Sequence, residues 1–573
     1  MVDRDAGWPL RPPLLGLLGG GIGLALYALV SVDPAYEKDV GRVVMATFLT
    51  AGGMVLAFTL ERIRWAWAAA FALVSGLVVA GVTWSNSAPD GWDQLGPWRH
   101  VCAGLAVAIA APLFQAIRDE GKWNLPYRAV HRHVWTNAII WCAAWLFVGL
   151  VWLLSFLLAS LFDLIGIDQL QRLLNRAWFA HLLTGASFGG AVGLLRERER
   201  IMGLLQRLAT LALGVLAPVL AIGLIIFLLA LPFTGLSPLW EATKSTTPIL
   251  LSCVIAALVL ANVVIGDGPE DEDEAARPLR WSAMALGAVI LPLGLIAAVS
   301  TGLRIAQYGL TPDRLWAATF TAIAIAYGLA YLAALLWRRL RWSEALRPAN
   351  LGLAIGLCGL ALLLATPLIN FNAFSARDQA ARLRSGRTPL DEFDWKALAF
   401  DFGKPGREVL EKLARAGPTQ PIRNRSKQVL AFKTPWDFDQ NEVITERAEG
   451  FAERVTIVPI KVALPEALLA ALPAHADCGR KEGGGHCVVQ YRQGADSAVF
   501  VSWTADCSSC RPEVQVLVRG ASGSWGQAVT NGYADPKEPG RQRTAALRGD
   551  IEIRPVERRQ VFIGGEPAGA VFE

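Results

Sequence analysis

Charge is missing from long stretches of this chain. No charged side chain lies between Arg207 and Glu241, between Arg280 and Arg304, between Arg314 and Arg338, or between Arg347 and Arg377. About 20 apolar residues span the hydrocarbon core of a bilayer as a helix, because lipid offers no partner to an unpaired backbone group. Such runs lie near 14–32, 43–60, 65–84, 100–117, 135–158, 177–195, 208–231, 248–265, 281–300, 315–337 and 350–368. The last to be accepted is 177–195, which holds His181 and many small residues. The expected fold is a polytopic α-helical membrane bundle of about 11 spans with a C-terminal extracytoplasmic α+β domain. Composition agrees: 53% of the 573 residues are hydrophobic and 18% charged, against about 25% charged in soluble domains. A net charge of +5, with no basic stripe carrying interleaved aromatics, argues against a nucleic-acid partner.

Lys and Arg in the short loops set the orientation. With the N-terminus in the cytoplasm, the inner loops hold 18 basic residues, among them Arg4, Arg11, Arg62, Arg64, Arg118, Arg196 and Arg347, and the outer loops hold 8. The predicted topology is therefore N-in. An odd number of spans places everything after Phe371 outside, which in a bacterial inner membrane is the periplasm. The first span has a basic flank, but its apolar run exceeds the 7–15 residues typical of a signal core, so it reads as a retained helix. Trp65, Trp84, Trp135, Trp240, Trp281, Trp316 and Trp337 lie near span ends, as an interfacial aromatic belt requires.

The composition changes at Phe371. Of 21 Trp, 17 precede it, and the tail carries 28 Lys+Arg and 26 Asp+Glu. The chain divides into spans (1–370), a helical outer segment (371–450) and a β-rich region (451–573). Residues 375–384 read as a helix, and 406–416 place Val409, Leu410 and Leu413 on one face before Gly417-Pro418. HCVVQYR, AVFVSWT, EVQVLVR, DIEIRPV and QVFIGG read as strands of an antiparallel meander. That register gathers Cys487, Cys507 and Cys510 at one end of the sheet, with Cys478 entering nearby. Two disulfides are the favoured reading outside the cytoplasm, with Cys478–Cys487 and Cys507–Cys510 preferred as local pairs among three connectivities. Zinc held with His475 or His486, and a redox dithiol at 507–510, stay open as alternatives. Redox CxxC motifs usually begin a helix, whereas Arg511-Pro512 leads into a strand. The cysteines at 102, 142, 253 and 358 fall in spans and read as small core residues.

Candidate chemistry is sparse. Coupled transport usually needs an ionisable group at membrane depth, and only His181 qualifies; a packed, hydrogen-bonded histidine is the simpler reading. Pro218 and Pro292 fall mid-span, as kinks or as broken helices lining a site. His131 and His133 lie among Arg128 and Arg132 and suit a basic interfacial helix better than a metal pair. Asp271–Glu274 reads as a solvated loop. Asp33, Glu37 and Asp39 sit in the first outer loop, where a membrane glycosyltransferase would keep a catalytic acid, but the loop is short for that purpose. No catalytic, cofactor or metal residues are assigned.

The segment Tyr308-Gly-Leu-Thr-Pro-Asp-Arg314 is the most distinctive. Thr311, Pro312 and Asp313 make a helix start. Arg304, Gln307 and Arg314 bracket it and are expected to bind an anionic headgroup or to dock the tail helices through Asp378, Asp391 or Asp394. The block YGLTPDRLWA (308–317), TPLIN (366–370) and residues 375–413 resemble the bacterial multi-pass family called domain of unknown function 4153. The resemblance covers roughly residues 10–415. It implies an inner-membrane location and no established activity. The region beyond about 450 resembles nothing.

Three functional readings follow. The first is a structural or interaction protein that presents an outer domain to an envelope partner or to membrane lipid. The second is a carrier or flippase for a lipid or amphipathic solute. The third is a membrane transferase. An enzyme is the least favoured of these. A polar cavity between spans would favour the second, and paired acids in an outward groove the third.

Overall fold

Among the described residues, eleven helices are long and apolar enough to cross a membrane, one for each apolar run. The computed structural model describes residues 8–31, 39–86, 97–235, 246–268, 276–338, 341–448, 455–459, 462–472, 486–503, 512–521, 523–528, 539–551, 559–563 and 566–572. The chain forms two units, Met1–Lys427 and Gln428–Glu573.

In the first unit α1 covers Arg11–Leu26 and runs into a π turn, Tyr27–Ser31; α2 covers Val40–Thr59, α3 Trp65–Asn86, α4 Trp98–Glu120 and α5 Tyr127–Asp163. A short α6, Gln169–Leu174, precedes α7 (Ala177–Glu197) and α8 (Glu199–Thr234). The remaining spans are α9 (Thr246–Ile265), α10 (Arg277–Tyr308), α11 (Pro312–Arg338) and α12 (Trp342–Ala365). After them α13 (Phe371–Arg384), a π turn at Ala397–Asp401, α14 (Gly403–Ala416) and the first part of α15 (Gln420–Ala431) complete the unit. The helical segment that follows Phe371 thus begins within the first unit.

Local chemistry explains several boundaries. Asp39 caps α2, its Oδ1 accepting from Gly41 N at 3.0 Å, and Asn370 caps α13 by accepting from Ala373 N at 3.1 Å. Gly417 ends α14, its N–H bonding Leu413 O at 2.9 Å. Helices α8 and α10 continue through Pro218 and Pro292, so neither proline breaks a span.

Segment 177–195, the weakest span by composition, crosses α1 at backbone contact. A Cβ on Gly19 would overlap the Gly185 carbonyl, one on Gly23 the His181 carbonyl, and one on Gly189 the Leu15 carbonyl. Small residues in membrane helices allow such approach, and packing replaces the hydrophobic effect that lipid cannot supply. A larger core joins α8 to α12 through Leu224, Leu250, Leu286, Ile290, Leu293, Tyr331 and Trp342. Within it Asn262 Nδ2 donates to the Tyr331 hydroxyl at 2.7 Å, and Asn350 Nδ2 donates to Asn262 Oδ1 at 2.7 Å. Side chains such as Leu211, Val215, Val219, Ile222, Ile226 and Leu229 of α8 are exposed, as a lipid-facing surface requires. Cys102 is buried, but Cys142 is exposed on α5 and so is no core residue.

The second unit contains α16 (Pro435–Ala448), β1 (Val455–Val458), α17 (Glu466–Ala471), β2 (His486–Tyr491), β3 (Ser497–Trp503), β4 (Glu513–Arg519), β5 (Trp525–Gln527), α18 (Pro539–Arg548), β6 (Arg559–Ile563) and β7 (Glu566–Phe572). The sheet order is β1-β2-β3-β4-β5, and β6 pairs with β7. The meander is antiparallel over β2–β5, whereas β1 pairs in parallel with β2, so the sheet is mixed. A parallel pair needs a crossover, and α17 lies on it. Leu468 and Leu472 cover one face with Val489, Tyr491, Phe500 and Leu517. Ala546 of α18 covers the other with Val488, Val499 and Val501. Burial on both faces explains why β2 and β3 read as unbroken apolar runs.

Candidate functional site

Helix α10 ends at Gly309, whose φ of +78° with ψ of −174° is a conformation open essentially to glycine, costing other residues about 1–3 kcal/mol. Thr311 starts α11, its Oγ1 accepting from Arg314 N at 3.3 Å. This tight corner exposes the backbone of 307–310, and α13 closes on it. Asp378 Oδ2 accepts from Leu310 N at 2.7 Å. Gln379 Nε2 donates to Tyr308 O at 3.0 Å and to Leu310 O at 2.9 Å. Arg382 Nη2 donates to Gln307 O at 2.6 Å. Three side chains of one helix, spaced for a single face, thus satisfy the backbone groups of a helix end. A Cβ on Gly309 would lie 2.6 Å from Arg382 Cδ and 2.8 Å from both Asp378 Oδ2 and Gln379 Nε2.

Beneath α13 lies an aromatic cluster. Trp316 meets Phe371 edge-on at 4.8 Å, and Trp98 lies 5.6 Å from Trp316 and 5.1 Å from Phe320. Trp316, placed by sequence in the interfacial belt, is buried here, while Trp65, Trp84, Trp281 and Trp337 are exposed. Buried Arg99 donates to Asn86 Oδ1 at 3.3 Å and reaches Ile369 O at 3.5 Å. Spans α3, α4, α11 and α12 and the stem of α13 therefore meet at one end of the bundle.

The residues singled out by sequence take these places. Arg314 Nη1 donates to Gly309 O at 2.7 Å and Tyr308 O at 3.2 Å, and its guanidinium lies 5.4 Å from the Tyr308 ring. Gln307 contributes its carbonyl. Asp394 Oδ1 accepts from Ala397 N at 2.8 Å, and Asp391 is exposed. Among the described residues no ion pair joins Arg304 or Arg314 to Asp378, Asp391 or Asp394. Asp378 engages the loop through its backbone instead.

Other candidates are occupied locally. Asp39 is spent on its cap and on Arg42, at 3.3 Å; Asp33, Glu37 and Asp271–Glu274 lie outside the described residues. His133 Nε2 pairs with Asp119 Oδ2 at 3.1 Å, and His131 accepts from Trp135 Nε1 at 3.1 Å. His181 Nδ1 bonds Ala177 O at 2.8 Å. Its ring helps line an apolar cavity of about 420 Å³ between α1, α2, α5 and α7, with Gly19, Ile22, Trp145 and Phe188. The free thiols among the described residues are Cys102, Cys142, Cys253 and Cys358. Cys487 is not one of them; Cys478, Cys507 and Cys510 lie outside the described residues. No group of three His, Cys, Asp or Glu suited to a metal occurs among the described residues.

A feature that loop counting overlooks lies at the opposite end. The last carbonyls of α2 are capped by side chains from other spans: Gln115 Nε2 reaches Phe58 O at 2.8 Å, Arg196 bonds Phe58 O, and Arg118 bonds Thr59 O. Glu61 then binds both Arg11 and Arg196. Arg347 Nη2 caps the end of α9 at Ile265 O (3.0 Å) and Gly268 O (2.7 Å). Orphan carbonyls and the negative end of the helix dipole both favour these cations.

Comparison with family models matches residues 24–411 to the family described as domain of unknown function (DUF4153). The chain belongs to that family. The match covers about two thirds of the sequence, from within α1 to within α14, and so includes the α13 clamp. Neither the curated proteins nor the solved structures contain a match. The family description assigns no activity.

Proposed function

We propose that this DUF4153 member is a scaffold of the bacterial inner membrane that holds its C-terminal unit outside the cytoplasm and offers it to an envelope partner or to lipid. The observation that carries this reading is the clamp of Asp378, Gln379 and Arg382 on the backbone of 307–310. A helix fixed to the bundle by its own side chains is a rigid stem, and the chain continues from it toward the mixed sheet. In an oxidising compartment Cys487 would pair with Cys478, and Cys507 with Cys510.

Photocrosslinker placed at exposed Arg492 or Arg519 in intact cells tests this. The scaffold reading expects discrete adducts that disappear when Asp378→Ala and Gln379→Ala release the stem. Adducts indifferent to the clamp would refute it. A second reading, a carrier for an apolar or amphipathic molecule, is favoured by the cavity of about 420 Å³ between α1, α2, α5 and α7. Purified protein in vesicles carrying a fluorescent phospholipid separates the two: the scaffold leaves half of the label protected from an external quencher, whereas a carrier exposes it all.

A further inference from the structure

We propose that Arg304, Arg314 and Arg382 form a binding site for a phosphate group, supplied by the headgroup of an anionic phospholipid. The three arginines come from the last turns of α10, the first turn of α11 and the last turn of α13. They converge because Arg314 and Arg382 are each tethered to neighbouring carbonyls of 307–309, while Arg304 lies one helical turn before Tyr308. Arg314 and Arg382 thus sit on adjacent carbonyls of one corner, and Arg304 is a charged neighbour of Arg314.

The tethers use only part of their hydrogen-bonding capacity. A guanidinium has five N–H donors; Arg314 and Arg382 each commit one nitrogen to the corner. Arg382 Nε is shut off from solvent without a partner. Arg304 makes no hydrogen bond or ion pair among the described residues. The nearby acids offset the group only in part: Asp378 is turned to Leu310 N, and Asp313 attracts Arg314 without forming an ion pair among the described residues. Two arginines held by backbone tethers beside an untethered third favour an anion, and the planar forks of arginine match phosphate oxygens in pairs.

The surroundings favour a lipid source. Leu303 and Val299, on the α10 turns that lead to the site, are 51% and 47% exposed; in a membrane they face acyl chains. Tyr308 is 56% exposed at the helix end, as suits a ring at headgroup depth. A phospholipid would lay its chains along α10 and its phosphate among the arginines. Such a site serves a scaffold and a carrier alike, so it stands apart from the functional reading above.

The test titrates purified full-length protein in neutral detergent with short-chain phosphatidylglycerol, with phosphatidylcholine, and with inorganic phosphate. Arg304→Gln is the chosen variant, because Arg304 supports no other residue; an unchanged melting temperature without lipid checks its fold. Saturable binding of phosphatidylglycerol is expected, weakened about tenfold in Arg304→Gln, the scale of one charge-assisted hydrogen bond, and partly restored in Arg304→Lys. Arg62→Gln, an exposed charge at the opposite end, should leave it unchanged. Equal loss in Arg62→Gln, or no loss in Arg304→Gln, overturns the site. Inorganic phosphate binding as tightly as phosphatidylglycerol, with the same loss in Arg304→Gln, overturns the lipid assignment and leaves a soluble phosphate as the ligand. Equal affinity for phosphatidylcholine would show that net headgroup charge is not read, and would also overturn it.

Discussion

Gly309→Ala should free α13 from the bundle. The native φ of +78° with ψ of −174° costs an alanine about 1–3 kcal/mol. The new methyl would also lie 2.6 Å from Arg382 Cδ and 2.8 Å from Asp378 Oδ2 and Gln379 Nε2, an overpacking penalty of about 1–3 kcal/mol. These atoms cannot simply rotate aside, because Asp378 and Gln379 are bonded to Leu310 and Tyr308; withdrawing them breaks the clamp itself. The combined effect of about 2–6 kcal/mol falls on the opening of α13 rather than on the spans. Hydrogen exchange of the full chain in nanodiscs reads it directly. An opening made easier by about 2 kcal/mol speeds exchange roughly 30-fold, confined to 371–384. Gly302→Ala, on the same helix with nothing within 4 Å of its Cβ, should leave α13 protected. If Gly309→Ala leaves exchange across 371–384 unchanged, the clamp contributes nothing to holding the stem, and the scaffold argument loses its basis.

Three further outcomes are expected. Gly185→Ala, whose methyl would overlap the Gly19 carbonyl, should force α1 and α7 apart and lower the melting temperature, while Gly190→Ala, which meets nothing within 4 Å, should not. Glu61→Gln removes the carboxylate that Arg11 and Arg196 share, leaving Arg11 only its longer contact to Glu197 at 3.6 Å, and should destabilise the fold by about 3 kcal/mol; an unchanged melting temperature in detergent would mean that Glu197 and solvent already balance the pair. A cytoplasm-restricted reporter fused after Glu573 should be silent, and thiol blocking without reductant should find Cys478, Cys487, Cys507 and Cys510 oxidised; an active reporter or four free thiols would place the tail in the cytoplasm.

Much of this architecture is legible in sequence because lipid imposes a one-dimensional rule: a span needs length and apolarity, and both can be read residue by residue. The eleven helices follow from that alone, including 177–197. What the rule leaves out is why a glycine-rich segment stays in place. Gly185 and Gly189 read as weak helix formers, yet they are the surface on which α1 is seated; the signal was their four-residue spacing, matched by Gly19 and Gly23 on the partner helix. The parallel β1 escaped for a different reason, since alternation marks a strand without saying which neighbour it joins or in which direction.

The arginines show the same limit at the functional end. Counted by loop, Arg11, Arg118, Arg196 and Arg347 are interchangeable positive charges that orient the chain. In the fold, Arg118, Arg196 and Arg347 are ligands of helix ends, bonded to carbonyls of α2 or α9, and Arg11 joins Arg196 on Glu61. Where a carboxylate is shared as well, as Arg11 and Arg196 share Glu61, the charge is already balanced within the protein. That distinction is what sets Arg304 apart. It caps no carbonyl and meets no carboxylate among the described residues, and yet it stands beside two arginines fixed in place by the corner at 307–309. A charge that the protein's own groups leave unused is available to a ligand that comes from outside the chain, as the phosphate site proposed above requires.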